Sequence, residues 1–150
     1  MITRQFRNAD AQSVSELIIA NLKQINSQYY PENVINRMVK LYTPKHLIET
    51  AQKQLVLVAE ELDEIVGTAT ISKNFFGSVF VRPDMHGKGI GNKLMDSLEQ
   101  LAKQNGLEEV KLHASINAVN FYTKRGYKKI GKVSDAKFGE SFEMVKQLTD

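Results

Sequence analysis

The sequence predicts an α/β fold in which a predominantly antiparallel, twisted mixed sheet is flanked by helices on both faces. Three observations predict it. With 150 residues, the chain fits one domain, read here as residues 1–150, large enough to bury a core. Short alternating or β-branched runs recur between segments of helical period. Their order is β, two or three helices, β-β-β, α, β, α, β-β, which is not the regular alternation of a doubly wound sheet.

Ile2, Arg4 and Phe6 alternate with polar residues as a short strand does. Asn8-Ala9-Asp10 offers an N-cap, and Val14, Leu17, Ile18 and Leu22 follow at helical spacing to near Lys23. Pro31 opens a second helix carrying Val34, Ile35, Met38 and Leu41, and Pro44 a short third one through Ile48. Leu55 to Glu60 has the length and β-branched content of a buried strand. Leu62-Asp63 turns the chain, and Ile65 to Ser72 returns as the hairpin partner. Phe76 to Val81 is a further strand, stopped by Pro83. Ile90, Leu94, Leu98 and Leu101 lie on one face of a helix that runs to Gln104 and ends at Asn105-Gly106. Val110, Leu112 and Ala114 mark a strand, and Ala118 to Lys124 a short helix closed by Gly126. Tyr127 to Val133 and Phe142 to Val145 are the last two strands.

Composition removes several function classes. The chain has no cysteine, which excludes disulfides, thiolate metal ligands and a cysteine nucleophile, and no metal is expected. Met1 to Phe6 lacks the apolar core of a secretory signal, and no apolar run reaches the length of a membrane span. A cytoplasmic protein with no membrane partner is expected. Net charge is only +3, and the densest basic cluster (Lys124, Arg125, Lys128 and Lys129) is interrupted by Gly126 and Tyr127. That pattern reads as solvated surface lysines, with no nucleic-acid partner.

The chemically informative segment is Val81 to Asn92, between a strand and the long amphipathic helix. Gly87, Gly89 and Gly91 allow tight turning, and amides converging on a helix N-terminus suit a pyrophosphate. The dinucleotide spacing Gly-x-Gly-x-x-Gly fails in both registers, because its last glycine would fall on Asn92 or Leu94. A Walker loop ending in Gly87-Lys88 would need glycine at Arg82 and a hydroxyl at Gly89. A plain connecting turn stays open at this point.

The loop resembles the Arg/Gln-x-x-Gly-x-Gly/Ala acyl-CoA signature of the GNAT superfamily of N-acetyltransferases, read here as His86-x-x-Gly89-x-Gly91. Val81-x-Pro83 resembles that family's strand end. A second match lies downstream: Ala118-x-x-Phe121-Tyr122-x-Lys124-x-Gly126-Tyr127 is similar to the family's Ala-x-x-Phe-Tyr-x-Lys-x-Gly-Phe segment. Three positions depart from the pattern. His86 replaces the usual arginine or glutamine, and Ser115 stands where many members have asparagine, a role that Asn117 can take. No carboxylate lies between Ser72 and Val81, where some members place a general base.

The resemblance implies a GNAT-like fold and transfer of an acetyl group from acetyl-CoA to a primary amine by direct attack in a ternary complex. It implies that Val79, Phe80 and Val81 align the cofactor's pantetheine arm, and that a backbone N–H such as that of Val81 meets the developing oxyanion. His86, Gly87, Lys88, Gly89, Ile90, Gly91 and Asn92 would surround the pyrophosphate. Asn117, Tyr122 and Lys124 would complete the cofactor site, with Lys88 and Lys124 able to pair with phosphates. Tyr122 is the implied proton donor to the departing thiolate. His113, which alternates away from the Val110, Leu112 and Ala114 face, is the candidate base, with Glu60 and Glu61 as water-mediated alternatives. Tyr29, Tyr30 and Tyr42 are candidate acceptor contacts. The expected partner is a small-molecule amine or a peptide amine, and assembly as a homodimer is left open. Two other readings remain: a catalytically silent acyl-CoA-binding regulatory module, and a nucleotide-binding domain of unrelated fold.

Overall fold

The computed structural model describes residues 1–148, so the predicted domain runs two residues beyond them. Seven strands form one sheet in the order β1-β2-β3-β4-β5-β7-β6. They are β1 (Ile2–Gln5), β2 (Leu55–Glu61), β3 (Glu64–Ser72), β4 (Phe75–Val81), β5 (Glu109–Ser115), β6 (Lys128–Asp135) and β7 (Gly139–Gln147). All neighbours pair antiparallel except β4 and β5, which are parallel.

Helices cover both faces, as expected. The alternation of β2 divides the core: Val56 and Val58 pack with α1 (Ala11–Gln24), α2 (Glu32–Lys40) and α3 (Pro44–Lys53). Leu57 and Ala59 pack on the other side with α4 (Ile90–Gln104), which buries Ile90, Leu94, Met95, Leu98 and Ala102 there beside Tyr122 of α5 (Val119–Lys124). Among the described residues no helix is long and apolar enough to cross a membrane.

Several boundaries differ from expectation. Asn8-Ala9-Asp10 is a 3-10 turn rather than a simple cap. Asp10 accepts from the Arg7 amide at 2.7 Å and from two nitrogens of Arg4 at 2.8 and 2.9 Å, which holds its carboxyl below the usual carboxylate range. The third helix continues past Ile48 to Lys53, and the last hairpin extends to Asp135 and back from Gly139, because cross-strand hydrogen bonds carry it through polar residues.

The feature that positions the site is the parting of β4 from β5. Only Phe75 and Phe76 pair with Lys111 and Leu112, and beyond them the two strands do not pair with each other. Its cause lies in β4. Thr68 pairs with Phe80 and Thr70 with Gly77, so Ser78 and Val79 together oppose Ala69. Ser78 takes a positive φ of 49° in this bulge. A bulge bends its strand and increases twist, which turns the end of β4 away from β5. Meanwhile β5 is paired along its length, Glu109 to Ser115, by β7.

Candidate active site

A cleft of about 500 Å³ occupies the gap where β4 and β5 part. Val79, Phe80 and Val81 form its β4 wall. His86, Gly87, Gly89, Ile90, Gly91 and Asn92 form the wall made by the loop and first turn of α4, and Asn117 and Tyr122 close the α5 side. Of the expected cofactor residues, only Lys88 and Lys124 stand outside these walls. Lys88 is exposed, its Nζ 3.8 Å from Met85 Sδ, and Lys124 is exposed on the last turn of α5.

Two sets of backbone amides face this cleft. Arg82 N–H donates to the Val66 carbonyl at 2.9 Å. Bonding positions alternate along an antiparallel ladder, so Val81, paired with Gly67, turns its own N–H and C=O away from β3 into the gap. His86 folds back and donates from Nε2 to that Val81 carbonyl at 2.9 Å, which leaves the Val81 N–H toward the cleft. At α4 the first intrahelical bond runs from Lys93 N–H to Gly89 C=O at 3.1 Å. The amides of Ile90, Gly91 and Asn92 have no backbone partner among the described residues, as the first turn of a helix requires. They present partial positive charge to an anion.

The glycines divide their work differently from expectation. Gly87 and Gly89 adopt φ of 80° and 82°, and a Cβ on either would meet nothing within 4 Å. They are needed for backbone conformation, not for space. Gly91 has ordinary helical φ, but a Cβ there would stand 3.2 Å from Phe121 Cζ. It lets α4 approach α5.

Tyr122 lines both the cleft and an adjoining second cavity of about 350 Å³. Val79, Phe80, Ser115 and Ala118 also line both. Its ring packs edge-on against Phe121 and Tyr127, with centroids at 5.1 and 5.6 Å. Among the described residues its hydroxyl has no hydrogen-bond partner, and burial pushes the phenol well above its ordinary range. It therefore stays a protonated donor at neutral pH.

His113 lines the second cavity. It stands directly opposite Glu143 across β5 and β7, with Nε2 donating to Glu143 Oε2 at 3.1 Å, and Phe75 packs edge-on at 4.9 Å. Against a carboxylate, Nε2 is the donating ring nitrogen. The alternative base Glu60 lies elsewhere: it accepts from Arg4 at 3.3 Å, and neither it nor Glu61 lines the cleft or the cavity. Of the three tyrosines named as acceptor contacts, Tyr42 lines the second cavity and Tyr29 the cleft, but Tyr30 lines neither. The Tyr30 hydroxyl accepts from Ile116 N–H at 2.9 Å and donates to the Glu140 carbonyl, so it ties α1's exit to β7.

Sequence reasoning missed Asn21 and Glu143. Asn21 is 6% exposed on α1, lines the cleft, and its Oδ1 has no partner among the described residues; the Asn117 Oδ1 is in the same state. A polar residue on the buried stripe of Val14, Leu17, Ile18 and Leu22 was the legible sign. Glu143 gave no sign, because its role depends on register. Two orphaned amide oxygens, free helix amides and an open strand edge together fit a ligand that carries both anionic phosphates and amide groups.

Residues 13–148 match the model of a family described as the acetyltransferase (GNAT) domain. A peptidyl-lysine N-acetyltransferase, YjaB, from Salmonella typhimurium is 29% identical over 91 residues. That match spans 61% of each chain, so this chain covers under two thirds of the relative's length. Among solved structures, a GCN5-related N-acetyltransferase from Rhodopseudomonas palustris superposes with a TM-score of 0.89 at 26% identity, over 97% of this chain and 94% of that one. The PaiA N-acetyltransferase of Thermoplasma acidophilum, solved with coenzyme A, shares the fold at a TM-score of 0.80 and 21% identity, over 97% and 98% of the two chains.

Proposed function

This chain belongs to the GNAT acetyltransferases, and on that premise we propose that it transfers an acetyl group from acetyl-CoA to a primary amine by direct attack in a ternary complex. The observation that carries the reading is that two cavities share the wall residue Tyr122, whose hydroxyl has no partner among the described residues. An acyl donor in one and an amine in the other would come together there without a covalent enzyme intermediate, and the chain has no cysteine to form one by that route.

When bound, acetyl-CoA supplies a thioester whose carbonyl carbon accepts the amine lone pair, so that a C–N bond forms and the C–S bond breaks. The free amides of Ile90, Gly91 and Asn92 hold the pyrophosphate, and Lys88 and Lys124 add charge at its edge. The exposed edge of Val79 to Val81, with the orphaned amides of Asn117 and Asn21, aligns the pantetheine arm. Val81 N–H donates to the carbonyl oxygen as negative charge develops on it. His113 Nδ1 takes the proton that the amine releases, and Tyr122 gives its phenolic proton to the departing sulfur. The activity is assigned to the cytoplasm, with acetyl-CoA as cosubstrate and no metal.

Thermal unfolding with acetyl-CoA tests this reading. Saturating acetyl-CoA at about 100 times Kd stabilises by roughly 2.7 kcal/mol and raises Tm by several degrees. An unchanged Tm overturns the assignment of the cleft.

A further inference from the structure

We infer that the acceptor is a small primary monoamine with a flat apolar body, rather than a polyamine, an aminoglycoside or a peptidyl lysine. The inference rests on the function above and names its substrate class. The second cavity of about 350 Å³, lined in part by Tyr122, is where the acceptor binds, and its walls decide what fits.

Those walls combine an aromatic cluster with neutral polar groups, among them Asn26, Gln54, Ser72 and Ser141. Tyr42 and Phe80 pack edge-on at 5.5 Å on one side of it, and Met38 and Phe76 add apolar surface. Phe75 and Phe138, 36% and 40% exposed, are two of the few large apolar side chains left open to solvent, and both line this cavity. Neither is needed to fill the core. Aromatic residues kept at the mouth of a cavity serve a ligand's apolar face.

Charge points the same way. Among the described residues Asp135 is the only carboxylate of the cavity walls, and its Oδ1 already accepts the amides of Lys137 and Phe138 at 2.6 and 3.1 Å. Glu143, behind the wall, is held by His113. A monoamine leaves no charge behind when its nitrogen reaches Tyr122 and loses a proton. A polycation would bring further ammonium groups to walls whose one carboxylate among the described residues is already partly engaged, whereas a monoamine brings none.

The test follows release of free CoA thiol with three acceptors: 2-phenylethylamine, spermidine and an N-acetylated lysine peptide. The expected kcat/KM for 2-phenylethylamine exceeds that of both others by about tenfold or more. Phe138→Ala, at a half-exposed position, should raise its KM by roughly three- to tenfold with kcat little changed. Preference for spermidine or the peptide, or a KM for Phe138→Ala within about twofold of the parent, overturns the inference while leaving acetyl transfer intact. Failure of all three amines in a protein that still binds acetyl-CoA also overturns it. Failure to bind acetyl-CoA at all strikes instead at the function on which it rests.

Discussion

Gly91 couples the cofactor loop to Tyr122 through one aromatic ring, and Gly91→Ala measures that coupling. The added Cβ would lie 3.2 Å from Phe121 Cζ and 3.5 Å from its Cε1, where relaxed carbon contacts lie at about 3.5–4.0 Å. The ring must retreat by a few tenths of an ångström, and Tyr122 packs edge-on against it at 5.1 Å. Overpacking of this kind costs about 1–3 kcal/mol, and replacing glycine by alanine inside a helix returns roughly 0.5–1 kcal/mol. The net expectation is a loss of about 0–2.5 kcal/mol, at most several degrees of Tm. The diagnostic quantity is the double-mutant cycle with Phe121→Leu, whose smaller side chain makes room. Urea denaturation of the four proteins should give a coupling of about 1 kcal/mol in favour of the double variant. Additive effects would refute the claim that Gly91 is glycine because Phe121 occupies the space.

Other perturbations separate the remaining roles. Gly89→Val places a β-branched residue at φ 82°, which costs about 1–2 kcal/mol in backbone strain and misaims the first-turn amides; acetyl-CoA affinity measured by calorimetry should fall about tenfold or more, and unchanged affinity contradicts the anion site. Glu99→Gln removes the charge shared by Arg125 at 3.1 Å and Lys146 at 2.7 Å, both only partly buried, so urea denaturation should show a loss of about 2–4 kcal/mol; a loss under 1 kcal/mol would make the cluster incidental. Burial raises the Tyr122 phenol, and the competent form is the protonated one below its pKa, so turnover should have no alkaline limb from this group up to about pH 10. A limb below pH 10 that vanishes in Tyr122→Phe would contradict that.

The fold was legible wherever a period was strong. Leu55 to Ser72 announced a hairpin, and α4 announced its apolar face through Ile90, Leu94 and Leu98. The far half of α3 was not legible, because Glu49 to Lys53 buries little and carries no apolar stripe. The site divides in the same way. Loop glycines and Tyr122 are local motifs, visible from spacing. The bulge at Ser78 that opens the gap left no mark, since serine seldom takes positive φ and nothing nearby demanded it. Arg125 read as one of a surface cluster, yet it bonds Asn92, Asp96 and Glu99 of α4 from the end of α5. Its role, like Glu143's beside His113, exists only once two distant segments pack, and no one-dimensional pattern encodes that.

The central claim is that acetyl transfer takes place at Tyr122, the wall residue that the two cavities share. Tyr122→Phe removes one oxygen and keeps the ring that packs on Phe121 and Tyr127. Single-turnover acetyl transfer, measured with saturating acceptor so that product release cannot mask chemistry, tests the claim most directly. The rate should fall by roughly 10²–10⁴ with acetyl-CoA affinity nearly unchanged. A rate within about threefold of the parent would contradict it and reduce Tyr122 to a packing residue.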